Sequence, residues 1–236
     1  ISSPNQKKMI LKKNGIDFII NKRFDKKFSK IKYYDFIKNI LHKKLSAKYI
    51  FVSSNFRFGN KREGNVKKLI QSQKAYGFKI IKPQPLKKNH QVISSSLIRK
   101  LLEKGQLARA NKFLSRNWCI EGFVEKGRQL GQKIGFPTCN IDIKNYVIAK
   151  PGVYAVNVYQ KNSLSCLKGI ANIGYRTTLK QKKILLEVHI FKFSENLYNK
   201  HLTVEFKKFI RKEQKFKNVN QLKKQINLDL TIAKKI

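Results

Sequence analysis

The sequence predicts two domains of different class, an α/β domain followed by an antiparallel β-barrel with a C-terminal helix. Up to about residue 115, apolar strand-like runs alternate with amphipathic helical segments, a pattern typical of a parallel sheet flanked by helices. From Cys119 onward, short strands joined by turn-rich connections dominate, which favours a barrel. We therefore expect domains at residues 1–115 and 116–236.

The first half carries start and stop signals for its helices. Ser3-Pro4 is a favourable helix start and Gly15 a favourable stop. The elements expected next are a strand at Ile16 to Ile20, a helix with Tyr34, Ile37 and Leu41 on one face, a strand at Tyr49 to Val52, a helix capped by Asn65 and ended by Gly77, and a strand at Phe78 to Ile81. A helix capped by Ser94 and another at Leu107 to Leu114 complete this half.

The second half is predicted to consist of short strands and one terminal helix. The strands are expected at Cys119 to Val124, Val153 to Tyr159, Leu167 to Ile173, Ile184 to Phe191 and Leu202 to Phe206. The helix begins near Asn218 and places Leu222, Ile226, Leu230 and Ala233 at helical spacing. We expect this apolar stripe to pack on the barrel.

Residues 127–140, GRQLGQKIGFPTCN, place three glycines four residues apart. Glycines permit positive φ and bring backbone N–H groups together, so the loop from Gly131 to Gly135 can form a nest for a nucleotide phosphate. If Pro137 opens a strand, Thr138 and Asn140 share a face and offer two neutral oxygens to a hard cation such as Mg²⁺. The alternative is a glycine-rich hairpin whose Thr and Asn satisfy turn hydrogen bonds.

Glu187 lies in the middle of an apolar strand, ILLEVHIF. Strand alternation places Glu187 and His189 on one face, with Leu186 and Val188 on the other. An ionised carboxylate is costly to desolvate without a partner, so this Glu is either paired with one of the many lysines or kept for proton transfer. The residues alone favour the ion pair, and for His189 they favour a packed, hydrogen-bonded ring.

Five ordered segments of the second half resemble riboflavin kinases. They are GFPTCN at 135–140, GVYAV at 152–156, ANIGYRTT at 171–178, LEVHIF at 186–191 and RKEQKF at 211–216. Their order and spacing are similar to those of the kinase module in bacterial bifunctional riboflavin kinase/FMN adenylyltransferases, also called FAD synthetases. Upstream, FRFG at 56–59 and ISSSLIR at 93–99 resemble segments of the adenylyltransferase module. The resemblance implies a Rossmann-like nucleotidyltransferase fold for the first domain and a riboflavin kinase barrel for the second.

For the barrel domain, the resemblance implies transfer of the ATP γ-phosphoryl group to the 5′-hydroxyl of riboflavin, which gives FMN and ADP. Glu187 is then expected to act as general base toward that hydroxyl. Arg211 and Glu213 match the flap near the flavin, or alternatively form a charged edge strand. The residues expected to bind ATP are Gly131, Lys133, Gly135, Pro137, Thr138 and Asn140, the last two together with Mg²⁺.

The adenylyltransferase module departs from its family. These enzymes carry a Gly-x-Phe-Asp-Gly-x-His-x-Gly-His element whose histidines stabilise the transferring phosphate, and no such spacing occurs among the four histidines here. The module is therefore expected to be N-terminally incomplete. The residues that resemble its C-terminal phosphate-binding motif are Ser94, Ser95, Ser96 and Arg99. The alternative for them is a Ser N-cap beside a solvent-exposed Arg.

The net charge of +40 raises the question of nucleic-acid or membrane binding. Only nine of the 53 basic residues are arginine, and the lysines are spread along the whole chain. Specific nucleic-acid sites depend on arginine for bidentate contacts, so we expect incidental polyanion binding and no specific nucleic-acid site. A lysine-rich nucleic-acid-binding protein and a non-catalytic flavin carrier are the alternative functions.

The cysteines and the length of the apolar segments indicate the cellular location of the protein. Cys119, Cys139 and Cys166 show no C-x-x-C spacing and indicate neither a zinc site nor a disulfide framework. No apolar run approaches 18 residues, and the start shows no apolar signal-peptide segment. We expect a cytoplasmic protein that acts on ATP and riboflavin without membrane association.

From riboflavin and excess ATP, the chain is expected to form FMN without detectable FAD. Adenylyl transfer needs charge stabilisation at the α-phosphate, and loss of a single preorganised donor costs about 10²–10³-fold. Here the whole histidine element is missing from the 236 residues. Chromatography of the flavins over a time course measures both products. FAD formed at a rate comparable to FMN would contradict the incomplete-module interpretation.

Overall fold

The computed structural model describes residues 1–88, 90–127, 129–161, 165–177 and 182–236. Thr178, the last residue of the ANIGYRTT segment, and position 128 of the glycine-rich loop lie outside the described residues. The helices are α1 (Pro4–Lys13), α2 (Lys26–Ser29), α3 (Tyr33–Asp35), a π-helix (Phe36–Lys44), a 3₁₀ turn (Asn60–Arg62), α4 (Val66–Gln71), α5 (Gln73–Tyr76), α6 (Ser95–Glu103), α7 (Leu107–Leu114), α8 (Leu130–Lys133) and α9 (Val219–Lys234). The strands are β1 (Tyr49–Phe51), β2 (Arg57–Phe58), β3 (Gly64–Asn65), β4 (Lys79–Ile81), β5 (Lys87–Lys88), β6 (Gln91–Val92), β7 (Cys119–Glu125), β8 (Cys139–Asp142), β9 (Gly152–Gln160), β10 (Leu167–Thr177), β11 (Lys182–Ile190) and β12 (His201–Lys212).

The chain forms two compact units, one of residues 17–92 and one that joins residues 1–16 to residues 93–236. We call them the α/β unit and the barrel unit. Helices α1, α6 and α7 therefore fall into the barrel unit, although the sequence pattern changes only after them. The domain boundary expected between residues 115 and 116 stays a prediction.

The α/β unit contains a parallel pair of strands, β1 and β4, in which Ile50 lies opposite Ile80. Its core consists of Ile37, Phe58, Leu69 and Phe78. A parallel pair whose connection contains helices is the arrangement that the alternating pattern predicted. The short antiparallel ladders β2–β3 and β5–β6 were not predicted, because two-residue strands are too short to show a period.

The strand expected at Ile16 to Ile20 was wrong. This segment has no regular structure, and Phe18 and Ile20 are 90% and 73% exposed. A strand needs a neighbouring strand for its backbone hydrogen bonds, and no described strand pairs with this segment.

The helical face predicted for Tyr34, Ile37 and Leu41 also differs in the structure, because Tyr34 is 48% exposed and does not share the buried face of Ile37. The π-helix that begins at Phe36 changes the number of residues per turn and so the spacing of the buried face.

The barrel unit contains a closed antiparallel barrel of six strands in the order β10-β11-β8-β7-β12-β9. Closure gives every strand two neighbours, so the barrel has no open sheet edge. Alternate residues of each strand fill the interior, as Ile141, Leu186 and Val204 do with no measurable exposure. The predicted barrel is confirmed, and the strand expected to open at Pro137 begins at Cys139.

Helix α9 packs on the outside of the barrel, as predicted. The Asn218 side chain caps its N-terminus by accepting a hydrogen bond from Gln221 N. Its apolar stripe, which includes Ala233, packs over Val153 and Ile170. The contacting side chains bury a hydrophobic layer between the helix and β9 and β10.

Helix α1 is attached to the barrel by the buried side chain of Gln6. Its Nε2 donates to both the carbonyl oxygen and Sγ of Cys119 at 3.2 Å. Its Oε1 accepts from Ser3 N at 2.8 Å and from the Tyr146 hydroxyl at 3.2 Å. The Tyr146 hydroxyl in turn accepts from the backbone N of Glu121 at 3.0 Å. One amide thus connects the N-terminal helix to β7 and to the segment after β8.

Replacing Gln6 by Leu should destabilise the barrel unit by about 1–3 kcal/mol, because buried partners on β7 and Tyr146 lose their hydrogen bonds. Trp118, the one tryptophan of the sequence, is fully buried in this unit, so its fluorescence reports urea unfolding there. Asn5→Ala, at the exposed neighbouring position, should change stability by less than about 0.5 kcal/mol. Equal unfolding midpoints for the two variants would contradict the role of Gln6.

Candidate active site

The glycine-rich loop forms a single helical turn, α8, and not an open nest. The backbone N–H groups of residues 133–136 all donate within the loop, two of them to the Gly131 carbonyl. These N–H groups are therefore not free to bind an anion in this conformation. The prediction of a phosphate-binding nest between Gly131 and Gly135 is therefore corrected: the N–H groups from residue 133 onward are occupied within the loop. Glycine spacing alone does not show whether a loop forms such internal hydrogen bonds. Lys133 is exposed on this turn.

Two glycines of this loop lie directly against Thr138 and Asn140. A Cβ at Gly131 would overlap the Phe136 carbonyl oxygen and lie 3.2 Å from Thr138 Oγ1. A Cβ at Gly127 would overlap the side-chain nitrogen of Asn140. Both positions therefore require glycine for close approach. The loop fixes the surroundings of the two side chains that were predicted to bind a cation.

His189 attaches the end of the loop to β11. Its Nδ1 lies 2.8 Å from the Pro137 carbonyl oxygen, and a ring nitrogen that faces a carbonyl must carry the proton and donate. The Phe136 ring packs edge-on against the imidazole, with ring centres 5.9 Å apart. The hydrogen-bonded ring expected for His189 is confirmed. It holds the backbone immediately before Thr138.

The strand register places four polar residues in one row on the outside of the barrel. Glu125 lies opposite Asn140, Asn140 opposite Glu187, and Glu187 opposite Asn172. Directly opposite residues of antiparallel strands project from the same face, with Cβ atoms about 4.5–5.5 Å apart. Glu187 therefore lies between two asparagines, and its side chain is half-buried.

Both of these asparagines have a buried side-chain oxygen. Asn140 is 5% exposed, and its Oδ1 accepts no hydrogen bond from any described residue. The Oδ1 of Asn172 is likewise buried and accepts none from the described part of the chain. Buried acceptors without donors are rare and costly, so such atoms require an explanation. That both flank Glu187 marks this row as a candidate site.

A pocket of about 470 Å³ lies at the end of the glycine-rich loop. Thr138 lines it together with Cys139 and Val188, which precede Asn140 and follow Glu187 in sequence, while none of the four row residues lines it. Its walls come from the glycine-rich loop and from the segment after β11, and they include Gln129, Phe193 and Tyr198. The side-chain Nε2 of Gln129 donates to the Tyr198 hydroxyl at 2.8 Å and joins these two walls. The volume is within the range of small-molecule sites.

Two groups of predicted residues are held by contacts outside the four-residue row. Arg211 forms a bidentate ion pair with the buried Asp229 of α9, at 2.7–3.0 Å. Ser94 caps α6 by accepting from Leu97 N, which is the alternative considered for it. Ser95, Ser96 and Arg99 are exposed. Glu213, in contrast, reaches the row, because its Oε1 accepts from Asn172 Nδ2 at 3.3 Å.

Sequence reasoning missed Asn172 as a site residue. It belongs to the ANIGYRTT segment, which was noted for the resemblance but not assigned a chemical role. Its position opposite Glu187 depends on pairing between β10 and β11, which no periodicity within one strand reveals. The one available signal was a polar residue between the apolar neighbours Ala171 and Ile173.

The cysteines and acidic clusters suggest no further chemistry here. Burial raises the pKa of the Cys139 thiol to about 12 and that of Cys119 to about 11, so both remain protonated at neutral pH. Among the described residues, no group of three or more His, Cys, Asp or Glu side chains is placed to hold a metal ion. The helices of the described chain are too short or too polar to cross a membrane.

Comparisons with known proteins agree along almost the whole chain. The riboflavin kinase family matches residues 114–236, and the FAD synthetase family matches residues 1–97. The bifunctional riboflavin kinase/FMN adenylyltransferase of Buchnera aphidicola from Schizaphis graminum is 40% identical over 226 residues, which cover 93% of this chain and 71% of that protein. The Escherichia coli protein of the same name is 37% identical over 220 residues, with 93% and 70% covered.

A solved structure matches the fold. A protein from Streptococcus pneumoniae, described as a macrolide-efflux protein, superposes with a TM-score of 0.84 at 25% identity, covering 98% of this chain and 74% of that one. The closed barrel and its terminal helix lie within the residues that match the riboflavin kinase family, and a segment of the FAD synthetase type precedes them. The chain belongs to the family of bifunctional riboflavin kinase/FMN adenylyltransferases.

Proposed function

We propose that the barrel unit transfers the γ-phosphoryl group of ATP to the 5′-hydroxyl of riboflavin, forming FMN and ADP. The observation that carries this proposal is the row in which Glu187 lies between two asparagines with unsatisfied buried oxygens. Phosphoryl transfer requires little covalent work from a protein and much positioning of the nucleophile and the phosphate. A carboxylate held between fixed amides, beside a pocket, meets that requirement.

Thr138 and Asn140 fit the Mg²⁺ that the family implies. The Oδ1 of Asn140 is a buried oxygen with free lone pairs, and Gly127 packs against the nitrogen of the same amide. Mg²⁺ accepts few protein oxygens and completes its shell with water and phosphate oxygens. When bound there, the ion would neutralise charge on the nucleotide phosphates.

Glu187 acts as general base toward the ribityl 5′-hydroxyl in this proposal. A positioned base contributes about 10²–10⁴-fold to such a step. Its neighbours across β8 and β10 are both asparagines, so the side chain is held between neutral groups.

The pocket beside Thr138 takes the adenosine end of ATP. Its volume of about 470 Å³ suits a nucleoside, and Thr138, which lines it, lies two residues before Asn140 of the row. Gln129 and Tyr198 hold its two walls together. Contacts of ATP with Gly131, Lys133, Gly135 and Pro137 stay predictions, as do contacts of the flavin with Arg211 and Glu213.

We expect the N-terminal part to form no detectable FAD, because the histidine element of the family is missing from the 236 residues. Its FAD synthetase match includes Ser94 to Ser96, the residual phosphate motif, and the amount of FAD formed tests it. Incidental polyanion binding, the lack of a specific nucleic-acid site and a cytoplasmic location also stay predictions.

Glu187→Gln should lower the rate of FMN formation by about 10²-fold or more while ATP binding is retained, because the amide keeps the shape but cannot accept the proton. Chromatographic initial rates and calorimetric titration with ATP measure the two effects. The matched control is Glu103→Gln, at an exposed position of α6, which should retain the parent rate. A Glu187→Gln rate within a few-fold of the parent would leave Glu187 as a structural residue.

Thr138→Ala and Asn140→Ala should each raise the Mg²⁺ concentration needed for half-maximal rate before riboflavin affinity changes. Each substitution removes one oxygen available to the cation. Titrations with MgCl₂ at saturating ATP, paired with flavin fluorescence titrations, separate the two quantities, and Asn5→Ala is the control. An unchanged Mg²⁺ requirement together with weaker riboflavin binding would reverse the assignment.

A further inference from the structure

The Asn172 side chain has a chemical role still to be assigned. Of the two buried oxygens beside Glu187, that of Asn140 is explained by the proposed cation. That of Asn172 lies on the other side of Glu187, on β10. An acceptor of this kind costs stability in the folded chain, so its retention next to a reactive carboxylate points to a donor that arrives with a ligand.

The neighbours of Asn172 fix which of its atoms is available. Its Nδ2 donates to Glu213 Oε1 at 3.3 Å, and a carboxylate can only accept. The Glu213 carboxylate lies close to Gly174, two residues further along β10. With the nitrogen directed to Glu213, the amide presents its oxygen as the remaining group.

The register also limits which group can donate to this oxygen. Across β9 the residue opposite Asn172 is Val153, whose side chain has no donor. Across β11 it is Glu187, which accepts as a carboxylate. The hydroxyl that Glu187 deprotonates belongs to a polyol chain, and a second hydroxyl on the adjacent carbon lies within a few ångströms of the first.

We propose, on the basis of the kinase function above, that Asn172 Oδ1 accepts a hydrogen bond from the ribityl 4′-hydroxyl, adjacent to the hydroxyl that is phosphorylated. Asn172 is then a specificity-determining residue that recognises a vicinal diol and sets the 5′-oxygen against Glu187. The substrate class is a flavin, or another aryl polyol, with adjacent hydroxyls at the end of its chain.

The test compares riboflavin with 4′-deoxyriboflavin and 2′-deoxyriboflavin in the full chain. With the parent protein, loss of the 4′-hydroxyl should lower kcat/KM about 10- to 100-fold, and loss of the distant 2′-hydroxyl much less. Asn172→Ala should lower kcat/KM for riboflavin by a similar factor. In that variant, riboflavin and 4′-deoxyriboflavin should react within about three-fold of each other, because the acceptor that distinguished them is gone.

Two further variants make the result decisive. Asn172→Ser keeps a small polar side chain, so it should fold even if the alanine variant does not. It should also lose the discrimination between riboflavin and 4′-deoxyriboflavin. Asn157→Ala, at a half-buried asparagine on the neighbouring β9, should retain it. A 4′-deoxyriboflavin penalty that persists in the Asn172 variants, or equal penalties for both analogues with the parent, would overturn the proposal.

The outcomes also separate this inference from the function on which it rests. If the parent forms no FMN, the kinase proposal fails and the inference fails with it. If the parent forms FMN and Glu187→Gln is fully active, the kinase activity stands, but the general-base role of Glu187 fails, and with it the inference that sets the 5′-oxygen against Glu187. If Glu187→Gln is inactive while the Asn172 variants discriminate as the parent does, the kinase assignment stands and the assignment of Asn172 is wrong.

Discussion

The closed antiparallel barrel is the constraint on which the candidate site depends. Because β8, β11 and β10 are consecutive neighbours, a single register brings Asn140, Glu187 and Asn172 side by side. A shift of one residue would turn every side chain of a strand to the opposite face. The apolar residues that alternate with Glu187, such as Leu186 and Val188, fill the interior and so prevent that shift. The packing of the core thereby determines the geometry of the chemistry outside it.

The sequence predicted well those features that depend on local pattern. The capping residues Ser3, Asn65, Ser94 and Asn218 all cap the helices expected, because a cap is decided by atoms within one turn. The segment Ile16 to Ile20 failed because a strand depends on a partner elsewhere in the chain. The glycine-rich loop was located correctly, but its internal hydrogen bonds depend on how the turn closes.

The candidate site was predictable only in part for the same reason. Thr138, Asn140 and Glu187 were singled out by residue type and resemblance, and the structure brings Asn140 beside Glu187. Asn172 and the partner of Arg211 were missed. Asp229 is 18 residues away from Arg211 along the chain and on a different element, so no spacing rule connects them. Cross-strand neighbours and buried ion pairs are tertiary properties.

The attachment of α1 has a consequence for the order in which the chain can fold. Gln6 contacts Cys119, 113 positions later, and Tyr146, 140 positions later. The α/β unit lies between these contacts in sequence, and its own strand pair joins residues much closer together. Contacts between distant segments form slowly because the chain between them must first be brought together. During synthesis, the first helix therefore leaves the ribosome well before its binding surface exists, and the barrel unit is completed only when both of its separated pieces are present.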